Sequence, residues 1–389
     1  MQLKKLILAV SLSTTSFAVL AGEPVKLSLT TWIGYSPFYV ADGMGLYKKH
    51  GLDVTLKTFS DPAMLPSSVT SKAVDGSLMT YDQLIGAVAQ GQKLKVVMPI
   101  DYSNGGDAVL ADKTINKITD LKGKKVAYSP LSPSDFLISY ALKVNGMSVK
   151  DINPINMAPE AVLSALASKA VIAGVTYEPN VSQILAMGNV KQFHTIYTSK
   201  QAPGLIADVM VFDEAYIKKN SKNITSLVKA YLEGLAYMKS NPKEASVIIG
   251  KAVGVSGAEV LAQLSGVYNI PATEMAATFQ AGKDTKSYYV SGEIINEILL
   301  KSKQIKAPVA IRTLHHPALP HGRHSVRIQP ELRAMLVGQL QQVFCRIERD
   351  NAACLEHGDT AAQRLGFFQV MRGQQYRMAF AIEAADECP

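Results

Sequence analysis

SKAVDGSLMTYD at residues 71–82 returns as SKAVIAGVTYEP at residues 168–179. Each copy follows a helix-like stretch, runs through a short apolar strand, and ends in Thr-Tyr-acid: Thr80, Tyr81, Asp82 and Thr176, Tyr177, Glu178. Chance would account for either short connection alone. The pair is better explained by two similar α/β lobes, each finishing a strand with polar and aromatic side chains. Ligands of open α/β sheets sit beyond the carboxyl ends of the strands, so two such lobes would present both tips to one cleft.

The chain around the echo keeps the same alternation between residues 25 and 305. VKLSLTTW alternates as a strand, with Ser36 as the expected N-cap and Pro37 as the first residue of the helix behind it. Gly51 closes that helical stretch after Lys48 and Lys49, and LDVTLKTF forms the next strand. Asp61 before Pro62 opens another helix, as do Ala158 before Pro159 and Asn241 before Pro242. KLKVVMPI and KKVAYSP read as further strands, and Ser256 with Glu259 makes a capping box.

The two ends differ from this body. Lys4 and Lys5 precede a short apolar run from Leu6 to Leu20, and Val19 and Ala21 are the small residues of a cleavage site after Ala21. Ser and Thr interrupt the run, which falls short of the ~20 apolar residues a membrane span needs. Residues 1–21 are therefore expected to be a signal peptide and the mature chain periplasmic. At the other end all nine Arg lie between Arg312 and Arg377, every Lys lies at or before Lys306, and all three Cys are in the tail. Residues 307–389 thus read as an atypical extension, and a chain ending near Lys306 is expected to keep its cooperative melt. PELRAMLVGQLQQVFCRIER has helical spacing within it. Cys345, Cys354 and His357 lack a fourth zinc ligand and any known spacing, so no metal is expected. The formal charge of +8 is spread along the chain without a basic run interleaved with aromatics, which argues against nucleic acid.

TTWIGYSPFYVADGMGLYKKHGLDV, AVDGSLMTYDQLIGAVAQG, ITDLKGKKVAYSPLSPSDFLISYAL and GVTYEPNVSQIL, in that order over residues 25 to 305, resemble the solute-binding proteins of ABC importers for nitrate, sulfonates such as taurine, or thiamine pyrimidine precursors. The resemblance implies an α/β, two-lobed type II periplasmic binding protein fold with a cleft between the lobes. It places residues 22–104 and 205–306 in lobe 1 and residues 105–204 in lobe 2, with crossings near Tyr102–Asp107 and Lys200–Leu205. It also implies a small nutrient as ligand, a permease with its cytoplasmic ATPase as partner, a monomer, and no cofactor. Lys72 and Lys169 stand where the family usually has glycine, and Ile172 where it has an aspartate such as Asp75.

A cleft that captures a small polar solute needs flat rings for contact and a few polar groups for orientation. Trp32, Tyr35 and Ser36 lie where the first strand delivers its tip. Asp61 is as well placed to cap its helix as to touch ligand. Ser132, Ser134 and Asp135, with Ser129, surround the start of a helix in the second lobe; Asn104 and Asp107 fall at a crossing. Tyr81 and Asp82, with Tyr177 and Glu178, end the echoed strands. The body has no Arg to fork onto a sulfonate, and rings near Asp82, Asp107 or Glu178 suit a planar, amine-bearing heterocycle better. No Cys precedes Cys345, and GxSxG and clustered His are absent from the body, so binding without catalysis is expected. The alternatives are a periplasmic ligand-sensing domain and a thiamine-pyrimidine biosynthetic enzyme of the same fold.

Overall fold

The computed structural model describes residues 22–187 and 192–316. The expected signal peptide, the helical stretch of the tail, and Cys345, Cys354 and His357 lie outside them. Eleven strands form among the described residues, in chain order β1 (Glu23–Leu29), β2 (Leu52–Thr58), β3 (Gly76–Thr80), β4 (Leu94–Ser103), β5 (Asp107–Asp112), β6 (Lys125–Tyr128), β7 (Asn153–Asn156), β8 (Ala173–Tyr177), β9 (Phe193–Thr198), β10 (Ala207–Asp213) and β11 (Val267–Asn269). They make two sheets, β11-β4-β10-β3-β1-β2 and β7-β6-β8-β5-β9. Central strands such as β3 and β8 are buried throughout, as strands covered by helices on both faces must be. The chain leaves the first sheet at Ser103, enters the second at Asp107, and returns between Thr198 and Ala207. The echoed segments thus supply an interior strand of each sheet.

Both echoes also contain the same backbone device. Lys72 and Lys169 have φ of 60 and 58, in the left-handed region. Each follows a short helix, Leu65–Thr70 or Val162–Ala167, and turns the chain toward its strand. A side chain there costs roughly 1–2 kcal/mol, which glycine avoids at the expense of chain entropy. Lys72→Gly and Lys169→Gly should therefore each raise stability, by about 0.5–1 kcal/mol. An upward shift of the urea midpoint at constant slope would show it. At Asp75 the carboxylate accepts from the Lys26 amide at 2.8 Å, a bond that Ile172 in the second echo has no group to make.

The packed chain continues past the Lys-to-Arg switch. Asn296 bonds Val309 in both directions at 2.9 Å. Ile311 and Leu314 are buried, and Val96 pairs with the segment through Leu314 O and the His316 amide. His315 reaches the Tyr81 hydroxyl at 3.1 Å within a cluster of rings that includes Tyr288 and Phe279. The edge of the fold therefore lies at or beyond His316, not at Lys306, because the first residues after the switch still cover the helix Tyr288–Lys301.

Candidate functional site

The carboxyl ends of β1 and β3, the end of β4 and the start of β10 meet the end of β8 and the start of β5. Register makes this meeting specific: Thr80 pairs with Asp208, Asp101 with Asp208, and Asp107 with Tyr177. Between them lies a cavity of ≈ 20 Å³, about the room of one water. Trp32, Tyr35, Gln83, Asp107, Tyr177 and Asp208 are among its walls. Trp32 and Tyr177 meet edge to face at 5.9 Å, one from each sheet's side.

Of the residues the sequence singles out, Trp32, Tyr35, Asp107 and Tyr177 share this cavity. Asp61 caps the turn Pro62–Met64 through the Ala63 amide at 3.0 Å, and also accepts from the Ser129 hydroxyl at 3.1 Å, tying the two halves of the cleft together. Asp82 is buried in the first turn of helix Tyr81–Ala89, near Asp208 and Asp135, without lining the cavity.

The others have different duties. Ser36 is not an N-cap: its own backbone is already helical, a turn at Ile33–Tyr35 precedes it, and its buried hydroxyl donates to Ile33 O. Tyr81 begins its helix directly after Thr80, which swings the ring away from the cleft and onto Tyr288. In the second echo Pro179 delays the helix to Asn180, so Tyr177 stays extended and faces the cleft. Glu178 spends its carboxylate on the Ser182 amide and hydroxyl. Ser132 caps helix Pro133–Val144, while Ser134 is buried in its first turn and is not among the cavity's walls. Asp135 accepts from the Leu131 amide and from Gln304 at 2.9 Å, a second tie across the halves. Asn104 gives its amide to Gly266 O and is not a wall of the cavity either.

Asp208 and Gln83 line the cavity and Asp101 pairs with Asp208, none of them among the residues the sequence singles out. A carboxylate inside an apolar strand was the available signal, in VVMPIDY and in ADVMVF, since burying a charge without a purpose is costly. Gln83 bonds Pro62 O at 2.7 Å and Leu131 O at 3.4 Å, a position that helix phase alone does not reveal.

The electrostatics are one-sided. Burial pushes Asp107 up to about 8, with Asp208, Asp82 and Glu178 adding to it against the Ser103 hydroxyl. Burial likewise raises Asp82 to about 7 and Asp208 to about 6, the latter restrained by hydrogen bonds from Tyr35, Asp101 and Trp32. No Lys, Arg or His is among the described walls. The arrangement can hold hydrogen-bond donors or positive charge against flat rings.

Trp32 is 4% exposed, yet part of its enclosure comes from Tyr177 and Gly106 across the cleft. Trp32→Ala should therefore divide its cost, losing about 1–3 kcal/mol of ligand affinity and a similar amount of stability. A melt and a titration on the same variant check both. A loss confined to stability would make the ring a core residue only.

Comparison with known proteins agrees with this architecture. A Brucella abortus (strain 2308) protein provisionally described as a binding protein is 23% identical over 289 residues, covering 72% of this chain and 88% of its own. The taurine-binding periplasmic protein of Escherichia coli is 23% identical over 257 residues, 66% of this chain and 78% of its own. The crystal structure of the periplasmic aliphatic sulphonate binding protein of Escherichia coli superposes with a TM-score of 0.62 at 18% identity, over 76% of this chain and 98% of that one. Its likeness establishes the two-lobed periplasmic binding protein fold. The NMT1/THI5 like family model matches residues 32–245, more than half of the 389 residues. The chain belongs to the NMT1/THI5 like family.

Proposed function

We propose that this protein is the substrate-binding component of an ABC importer, capturing a small planar solute that carries an amine or a positive charge. In this reading residues 22–104 and 205–316 form one lobe and residues 105–204 the other, and the two close about the crossings at 104–106 and 199–206. The protein works in the periplasm, delivers its solute to a permease, and performs no chemistry on it. Relatives whose names carry taurine and sulphonate support the transport role.

One observation carries the choice of solute: Asp107 and Asp208 line the cavity, Asp101 and Asp82 stand behind it, and no described cation does. Nitrate or a sulfonate would meet the Asp208 carboxylate with no countercharge, whereas an aminopyrimidine, admitted as the lobes part beyond the one-water space between them, would give its N–H groups to the acids and its ring to Trp32 and Tyr177. Titration calorimetry against 4-amino-2-methylpyrimidine, taurine and nitrate tests this. Heat is expected only from the pyrimidine. Saturable binding of taurine or nitrate without it would reverse the reading.

A further inference from the structure

We propose that Asp101 is a positioning residue: it remains protonated and gives its hydrogen bond to Asp208, so that Asp208 carries the negative charge facing the cleft. The two residues are directly opposite on the antiparallel pair β4 and β10, so their side chains leave the sheet on one face. Cross-strand partners on one face bring their carboxyl groups within reach of each other, and two buried carboxyl groups so placed are stable only with a proton shared between them.

The surroundings decide which residue keeps it. Asp101 is fully buried; its Oδ1 receives only a long bond from Trp32 Nε1, at 3.4 Å. No other described group donates to its Oδ2. The backbone of Gly34 closes over that oxygen so tightly that a Cβ there would lie 2.4 Å from it. An anion on Asp101 would be left with almost no hydrogen bonding, a state of high cost in a dry site. Asp208 instead receives the Tyr35 hydroxyl at 2.5 Å and reaches the cavity, so the charge is better held there. The other titratable groups acting on or felt by the pair are Tyr39, Asp82, Asp107, Tyr177, Tyr231 and Tyr288, from six different elements. All are acids, and no Lys, Arg or His is among the groups acting on the pair. A donated proton from Asp101 is therefore the principal means, with Tyr35, by which Asp208 can ionise at neutral pH. The use of that charge to attract a cationic solute rests on the function proposed above, whereas the position of the proton can be read in ligand-free protein.

Trp32 is the only tryptophan, donates to Asp101 and lines the same cavity as Asp208, so its emission should report the ionisation of Asp208. In ligand-free protein a transition near pH 6 is expected, lost in Asp208→Asn. Asp101→Asn, whose amide can donate as the protonated acid does, should leave the midpoint within about half a unit. Asp101→Leu, which cannot donate, should raise it by about one unit or more. Equal midpoints in the wild type and both Asp101 variants would overturn the assignment. Infrared spectroscopy of the unaltered protein at about pH 9 decides the matter if the variants fail to fold, because Asp82 and Asp107 will have ionised by then. A protonated carboxyl band should persist; its absence would mean that Asp101 does not hold the proton.

Discussion

A chain ended after Lys306 should melt some 10–20 °C below the full-length protein, while one ended after His316 should melt with it. The shorter chain lacks Ile311 and Leu314, 3% and 0% exposed, each stabilising by about 1.5–3 kcal/mol through burial. It also loses the bridge from Leu314 and His316 to Val96, and the His315 ring from the cluster around Tyr81. Together these are worth on the order of 5 kcal/mol, a large part of the 5–15 kcal/mol by which most domains are stable. Thermal melts of the two truncations decide it. Equal melting of the Lys306 and His316 chains would show that the segment lies on the fold without holding it.

Ligand-free protein should be most heat-stable near pH 5 and lose on the order of 10 °C by pH 9. Asp208, Asp82 and Asp107 have folded values of about 6, about 7 and about 8, all above the ordinary aspartate value, and burial is the first cause in each. Between the unfolded and folded values the native state binds the extra protons, so stability falls as pH rises. Each contribution is complete below about pH 4 and disappears as pH passes the folded value. Asp107→Asn should flatten the upper part of the curve, from about pH 7 to 9, and leave the variant more stable than its parent at the alkaline end. It should also weaken a cationic pyrimidine by roughly 1–3 kcal/mol, since it removes an acid whose proton the bound cation would displace. Melting temperatures across pH, for both proteins, measure the first effect. A parent curve that rises from pH 5 to 9 would refute the buried-acid account.

Much of this protein was determined by local sequence. The alternation of strand-like and helix-like stretches, the Asp61 and Ser256 caps and the left-handed closure at Gly51 depend on neighbouring residues, and all appear as expected. The echo at 71–82 and 168–179 correctly marked two interior strands, one in each sheet, because a strand buried on both faces must be apolar whatever surrounds it. Trp32, Tyr35 and Tyr177 could be placed at strand ends for the same reason. What local sequence could not decide was direction and pairing. A difference of three residues in where the helix begins, at Tyr81 itself but only at Asn180 after Tyr177, turned Tyr81 inward and left Tyr177 at the cleft. The Asp101–Asp208 contact joins residues 107 positions apart through antiparallel register, and the hold of Ile311 and Leu314 on the lobe runs across a switch in composition that signalled an ending. Composition records what a segment is made of, whereas burial is set by the surface it meets, and that surface exists only once the chain has folded.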